Sequence, residues 1–115
     1  MTFERFSVVR VPFPFTDREA TKKRPALVLS DAGVFNIPAG HSVLAMITSA
    51  GNAPWPLDCP LEHLDQAGLP APSKVRFKLF ILDHRLIRGV LGCLAEEDAR
   101  RVTVALRRLL GMENT

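Results

Sequence analysis

A chain of 115 residues with 47% apolar side chains makes one small domain with a core of its own, so no disulfide or metal is required as a staple. Fifteen Lys and Arg against twelve Asp and Glu leave a net charge of +3, which admits an anionic partner without requiring one. The N-terminus lacks a charged-then-apolar secretory pattern and no apolar run approaches the ~18 residues of a membrane helix, so the sequence points to the cytosol and away from a membrane partner.

In chain order, Ser7–Phe13 reads as a first strand, ended by Pro12, Pro14 and Asp17. Residues 17–23 form a polar loop, longer than a two-residue hairpin turn, of the charged kind that binds ligands beside rigid strands. Lys22, Lys23 and Arg24 then run through Pro25 into the apolar strand Ala26–Ser30. The proline biases Arg24 toward extended backbone, so the guanidinium is aimed by a strand. The plain alternative is that these cations are the solvated end of a loop.

Ser42–Ile47 is a third strand, followed at once by Thr48 and Ser49, whose hydroxyls either cap the strand end or face a ligand. Residues 52–60 form a proline-rich connection holding Trp55, a packing or dimer contact or else a base-stacking platform, with a short edge strand within Leu57–Leu61. A turn at 66–70 leads to Ser73–Lys78, which alternates with Lys74, Arg76 and Lys78 on one face and Val75 and Phe77 on the other. That basic face suits either solvent or a polyanion. Leu79–Leu82 and Leu86–Leu91 are apolar runs separated by Asp83–Arg85.

From Glu96 to Leu110 the period becomes helical, with Ala99, Val102, Ala105, Leu106, Leu109 and Leu110 in one stripe. Glu96, Glu97 and Asp98 in the first turn and Arg107 and Arg108 in the last complement the helix dipole, and Glu96–Arg100 and Glu97–Arg101 are four apart. The helix reads as a cover for a small sheet, its arginines solvated. Six or so short strands and one terminal helix define a mainly β fold, a small and strongly curved barrel.

The sequence carries no glycine-rich phosphate loop and no GxSxG elbow, and His41, His63 and His84 show no metal-ligand spacing and read as surface residues. Cys59 and Cys93 read as reduced core thiols. Cations and hydroxyls remain. RNA supplies its own nucleophile, the ribose 2′-hydroxyl, so a phosphate-gripping arginine and a donating hydroxyl suffice in principle for its cleavage, with no metal and no cofactor.

Val11-Pro12-Phe13-Pro14-Phe15-Thr16-Asp17, Lys22 through Ser30, Met46-Ile47-Thr48-Ser49, and Gly68-Leu69 with Ser73 and Arg76 resemble the MazF/PemK toxins of type II toxin–antitoxin systems. The resemblance spans nearly the whole chain, 1–115, as a single toxin domain. It implies an SH3-like barrel of the MazF/PemK/CcdB type, a homodimer, and an endoribonuclease that cuts single-stranded RNA at short sequences. It also implies a cognate antitoxin whose acidic tail occupies the RNA groove. By the same resemblance Arg24 and Thr48 match the catalytic arginine and threonine, and the segment from Thr16 to Lys23 closes over substrate. Thr16, Asp17, Lys22, Lys23, Ser49, Arg76 and Lys78 are then the substrate contacts.

Two departures stand out. Phe6-Ser7 replaces the Gly-Asp pair that often opens the first strand, and Lys78 stands where some members carry a proton-accepting aspartate, so no general base is assigned. Two other readings follow from the same residues: a non-enzymatic, CcdB-like gyrase-binding toxin, which does not require Arg24 with Thr48, and a catalytically inactive single-strand RNA binder using the Lys74, Arg76 and Lys78 face.

Overall fold

Apolar residues on successive positions of a strand can be buried only if both faces of the sheet are covered. In the computed structural model, which describes residues 3–13 and 22–112, this is how the inner strands lie. Along β2 (Lys22–Val28) and just past it, Leu27 and Leu29 enter one apolar cluster and Ala26 and Val28 the other. In β1 (Ser7–Phe13) Val8 joins the first cluster and Val9 and Val11 the second, while in β3 (His41–Ser49) Ala45 and Ile47 join the first and Leu44 the second.

Three further strands, β4 (Cys59–Pro60), β5 (Ser73–Asp83) and β6 (Val90–Cys93), complete one antiparallel sheet in the order β4-β5-β3-β2-β1-β6. The sheet curls into a half-barrel. Two short helices, α1 (Ile37–Ala39) and α2 (Leu64–Ala67), sit in connections, and α3 (Glu96–Leu109) lays Val102 and Ala105 on the first cluster. The mainly β architecture with a C-terminal helix is the one expected from the sequence.

Several boundaries move. The second strand begins at Lys22 instead of Ala26, because Lys22, Lys23 and Arg24 pair with Phe13, Pro12 and Val11 of β1. Thr48 and Ser49 lie within β3, paired with Lys74 and Ser73. What reads as a strand and a separate apolar run is the single strand β5: its register against β3 jumps between Ala45, opposite Leu79, and Met46, opposite Arg76. Phe77 and Lys78 are the extra residues, and such a bulge resets the alternation. The segment before β3 is helical, and its buried Asn36 donates to the Phe3 and Ser30 carbonyls at 2.7 and 3.0 Å, contacts between distant positions that no local pattern announces.

Other corrections concern single side chains. Leu109 and Leu110 end the helical stripe in solvent, 39% and 58% exposed. Arg101 is not simply solvated: it pairs with Glu62 and with Asp98, while Glu97 turns to His63 at 2.8 Å, so the Glu97–Arg101 pair does not form. Glu96–Arg100 does, at 3.3 Å. Of the two thiols only Cys59 is buried, where burial pushes it up from its ordinary pKa, while Cys93 is exposed. His84 is more than a surface residue, since its Nε2 lies 2.8 Å from the buried Ser42 hydroxyl and its ring meets Phe3 edge-on.

Candidate active site

The ladder between β2 and β3 covers only Ala26–Val28 against Leu44–Met46. Beyond it the strands part, because Lys22–Arg24 stay with β1 while Ile47–Ser49 stay with β5. Arg24 and Thr48 each stand two residues past the last pair, Ala26–Met46, on facing edges of the resulting cleft. Both are therefore carried by rigid strands.

Two concavities flank this pair and share it. One, of about 300 Å³, runs from Phe13 and Arg24 across Met46 and Thr48 to Arg76, Lys78 and Phe80. The other, of about 240 Å³, lies on the far side, between Arg24, Thr48 and Ser49 and the Pro70–Ser73 turn. Arg24, Ile47 and Thr48 belong to both, so they form the ridge between them. A groove of about 380 Å³ against α3, lined by Leu57, Val104 and Arg108 among others, is larger but holds none of the candidate residues.

The Arg24 guanidinium carbon lies 5.8 Å from the Phe13 ring centroid, within cation–π range, which steadies an otherwise exposed cation. Thr48 Oγ1 accepts a hydrogen bond from Asn52 Nδ2 at 2.5 Å, and Ser49 Oγ accepts a long one from Gly51 N at 3.4 Å. The capping alternative thus describes Ser49 in part, whereas the Thr48 hydroxyl is held by a side chain.

Arg76 Nε and Nη2 reach the two oxygens of Asp58 at 3.3 and 3.0 Å, and Lys74 Nζ lies 3.0 Å from Asp58 Oδ2. Burial pushes the Asp58 carboxyl up, but hydrogen bonds from Arg76, Lys74 and the Trp55 amide outweigh it and hold it below its ordinary range. Lys74 is 7% exposed and cannot serve as an open basic face. Lys78 Nζ lies 4.7 Å from the Trp55 ring centroid and Arg76 Cζ 5.8 Å, so Trp55 packs between these cations and the connection it belongs to.

The predicted residues therefore divide. Arg24, Thr48, Ser49, Arg76 and Lys78 line one or both concavities, whereas Lys22 and Lys23 are exposed on β2 and line neither. Thr16 and Asp17 lie outside the described residues. Phe13, Met46 and Phe80 as apolar walls were not foreseen, nor were Asn52 and Asp58 as their polar support. Period-2 patterning showed Phe13 only as a strand residue, and no sequence signal joins Asn52 to Thr48.

Among the described residues neither concavity carries a carboxylate or an imidazole, and no three His, Cys, Asp or Glu side chains are grouped to hold a metal ion. No described helix is long and apolar enough to cross a membrane. What the described residues of the cleft offer is two guanidinium groups, an ammonium and three hydroxyls, those of Thr48, Ser49 and Ser73, around apolar walls. Groups of that kind suit phosphate oxygens, and aromatic walls such as Phe13 and Phe80 are of the type on which flat rings stack.

A curled, SH3-like half-barrel with a cationic cleft between splayed strands defines a class of small β proteins. The family model for PemK-like, MazF-like toxins of type II toxin–antitoxin systems matches residues 4–110, and the chain belongs to that family, whose members are endoribonuclease toxins. Among solved structures, MazF (Form-I) from Deinococcus radiodurans is 28% identical over 97% of this chain and 99% of its own, with a TM-score of 0.73. The MazE-MazF (Form-III) structure from the same organism is 27% identical over 98% and 100%, with a TM-score of 0.76. The Mycobacterium tuberculosis toxin MazF-mt6 shares the fold at 16% identity, over 93% and 98%, with a TM-score of 0.71. No curated protein sequence matches the chain.

Proposed function

We propose that this chain is a toxin that cuts single-stranded RNA at specific sequences without a metal ion, with Arg24 and Thr48 as its catalytic residues. The observation that carries this reading is that both side chains rise from separate strands onto one ridge between two concavities. A scissile phosphate on that ridge leaves one flanking nucleotide to each side.

In the reaction the 2′-hydroxyl releases its proton as its oxygen bonds to phosphorus, the bond from phosphorus to the 5′-oxygen breaks, and that oxygen takes up a proton as it leaves. The products are a 2′,3′-cyclic phosphate and a 5′-hydroxyl. Arg24 supplies a planar fork for two phosphate oxygens and grips them more tightly as charge builds on the phosphorane. Thr48 donates to a third oxygen. Arg76 and Lys78 neutralise adjacent phosphates, Ser49 contacts the strand on the far side, Lys22 and Lys23 meet further phosphates from their exposed positions on β2, and Thr16 and Asp17 complete the proposed RNA contacts. DNA is spared because it lacks the nucleophile.

The partners of this reading are a single-stranded RNA, a second copy of the chain, and a cognate antitoxin with an acidic tail that competes for the cationic cleft, all in the cytoplasm. The MazE-MazF structure of a relative 27% identical supports the antitoxin. Leu79 and Ile81, 40% and 60% exposed on β5, offer apolar surface to a second copy.

The test is incubation of the purified protein with a long single-stranded RNA in EDTA, with fragment ends mapped. Discrete cuts are expected, with Arg24→Ala slower by at least ~10²-fold, the cost of losing one charge-stabilising donor. Intact RNA at high protein excess, or an Arg24→Ala variant as fast as the parent, sinks the assignment.

A further inference from the structure

Thr48 and Lys74 are directly paired across β3 and β5, so their side chains stand on one face. Lys74 does not reach toward the cleft. Its ammonium turns to the 52–58 connection, where it donates to the Asn52 carbonyl at 2.7 Å and meets Asp58 at 3.0 Å. An ammonium this far from solvent is tolerable only with such partners. Asp58 in turn accepts from the Trp55 amide at 3.0 Å and is held bidentately by Arg76. The Asn52 amide N–H donates to the Ser49 carbonyl at 3.1 Å.

Asn52 is thus fixed by its backbone at both ends, and the one part of it left to turn, its side-chain amide, donates to Thr48 Oγ1 at 2.5 Å. A threonine hydroxyl has one proton to give and lone pairs to receive with. Once Asn52 fills an acceptor position, the proton is directed to another neighbour. Phosphate oxygens on the ridge are acceptors only, so the hydroxyl is poised in the polarity they need.

We infer that Asn52 is a positioning residue for Thr48, setting the direction of its hydroxyl, and that the buried Lys74, paired with the part-buried Asp58, holds Asn52 in place. This rests on the endoribonuclease reading above. Asn52 touches no substrate phosphate itself. Its contribution is to abolish the alternative rotamer in which the Thr48 proton points away from the cleft, so it acts on turnover more than on RNA affinity.

The experiment is single-turnover cleavage of a short oligoribonucleotide by the parent, Asn52→Ala, Asn52→Asp, Thr48→Ala and the Asn52→Ala/Thr48→Ala double variant, from pH 4 to 8. Asn52→Ala should slow the cleavage step roughly tenfold with RNA affinity little changed, and the double variant should be no slower than Thr48→Ala alone, as residues acting as a unit are not additive. Asn52→Asp should be slower than Asn52→Ala at pH 7, because an ionised carboxylate draws the Thr48 proton to itself. It should recover relative to Asn52→Ala as the pH falls toward ~4, where that carboxyl takes up a proton and donates again.

A full extra tenfold loss in the double variant, parent-like cleavage by Asn52→Ala, or an Asn52→Asp profile parallel to the parent's overturns the inference while leaving the nuclease reading intact. No cleavage by the parent overturns both.

Discussion

Asp98 shows how much of this fold depends on single polar side chains in buried positions. Its carboxylate is fully buried in the first turn of α3, accepts from the backbone amides of Glu62 and His63 at 3.0 to 3.2 Å, and is paired with Arg101. Asp98→Ala removes the buried acceptor of the Glu62 and His63 amides and one of the partners of Arg101, and should cost about 2 kcal/mol in urea unfolding. Arg24→Ala, by contrast, removes an exposed side chain and should change stability by no more than ~0.5 kcal/mol. The two variants together separate loss of fold from loss of chemistry. Phe6 bears on the fold through its backbone: it has a left-handed φ of 69°, and its ring packs on the core beneath the Arg5 guanidinium. Packing there offsets a backbone strain of about 1–2 kcal/mol.

Among the elements, the junction of α2 with β6 is the least forgiving. A methyl group on Gly92 would stand 2.7 Å from the Ala67 carbonyl carbon, and one on Gly68, whose φ is +75°, 2.6 Å from that of Leu91. These contacts are with backbone, which cannot step aside as a side chain can. Gly92→Ala should therefore lose about 1–3 kcal/mol, seen as a Tm lower by several degrees in calorimetry. The 52–58 connection is held differently, through Asp58. Because the folded carboxyl lies below its unfolded value of 3.8, the stabilisation is complete above that value and is lost as pH falls through the lower, folded one. Trp55, the single tryptophan, reports on it. Its emission should stay constant from pH 8 to about 5 and shift to the red below about 4, whereas Asp58→Asn should be shifted already at neutral pH.

At the level of the whole molecule, the apolar side chains left outside the core bear on assembly. Leu79 and Ile81 alternate on the outer face of β5 past the bulge, and a second copy of the chain would remove them from water. Light scattering should give twice the mass of one chain, 12.7 kDa, and Ile81→Lys should return it toward the single value. RNA binding by the cleft should also weaken with salt, by about 0.7 log units per phosphate neutralised for each decade of concentration.

Alternation of apolar residues and the switch to helical period at Glu96 were enough, without coordinates, to indicate the class of fold, the first strand and the terminal helix, because these depend on neighbours within a few residues; the family came from the resemblance of several short motifs in order along the chain. Arg24 and Thr48 could be named as candidates because each sits in a short run that resembles the family's. That the two rise on one ridge was not legible, since it follows from β2 leaving β3 after three paired residues. The bulge at Phe77 and Lys78 was equally hidden, as was the withdrawal of Lys74 from an apparently basic face, because both depend on which strand lies alongside. Asn52 meets Thr48, and Asp58 meets Lys74 and Arg76, through hydrogen bonds between segments that only the curled sheet brings together. Local pattern determined what kind of protein this is; the side chains that aim its cleft were decided by long-range pairing, which leaves no period in the sequence.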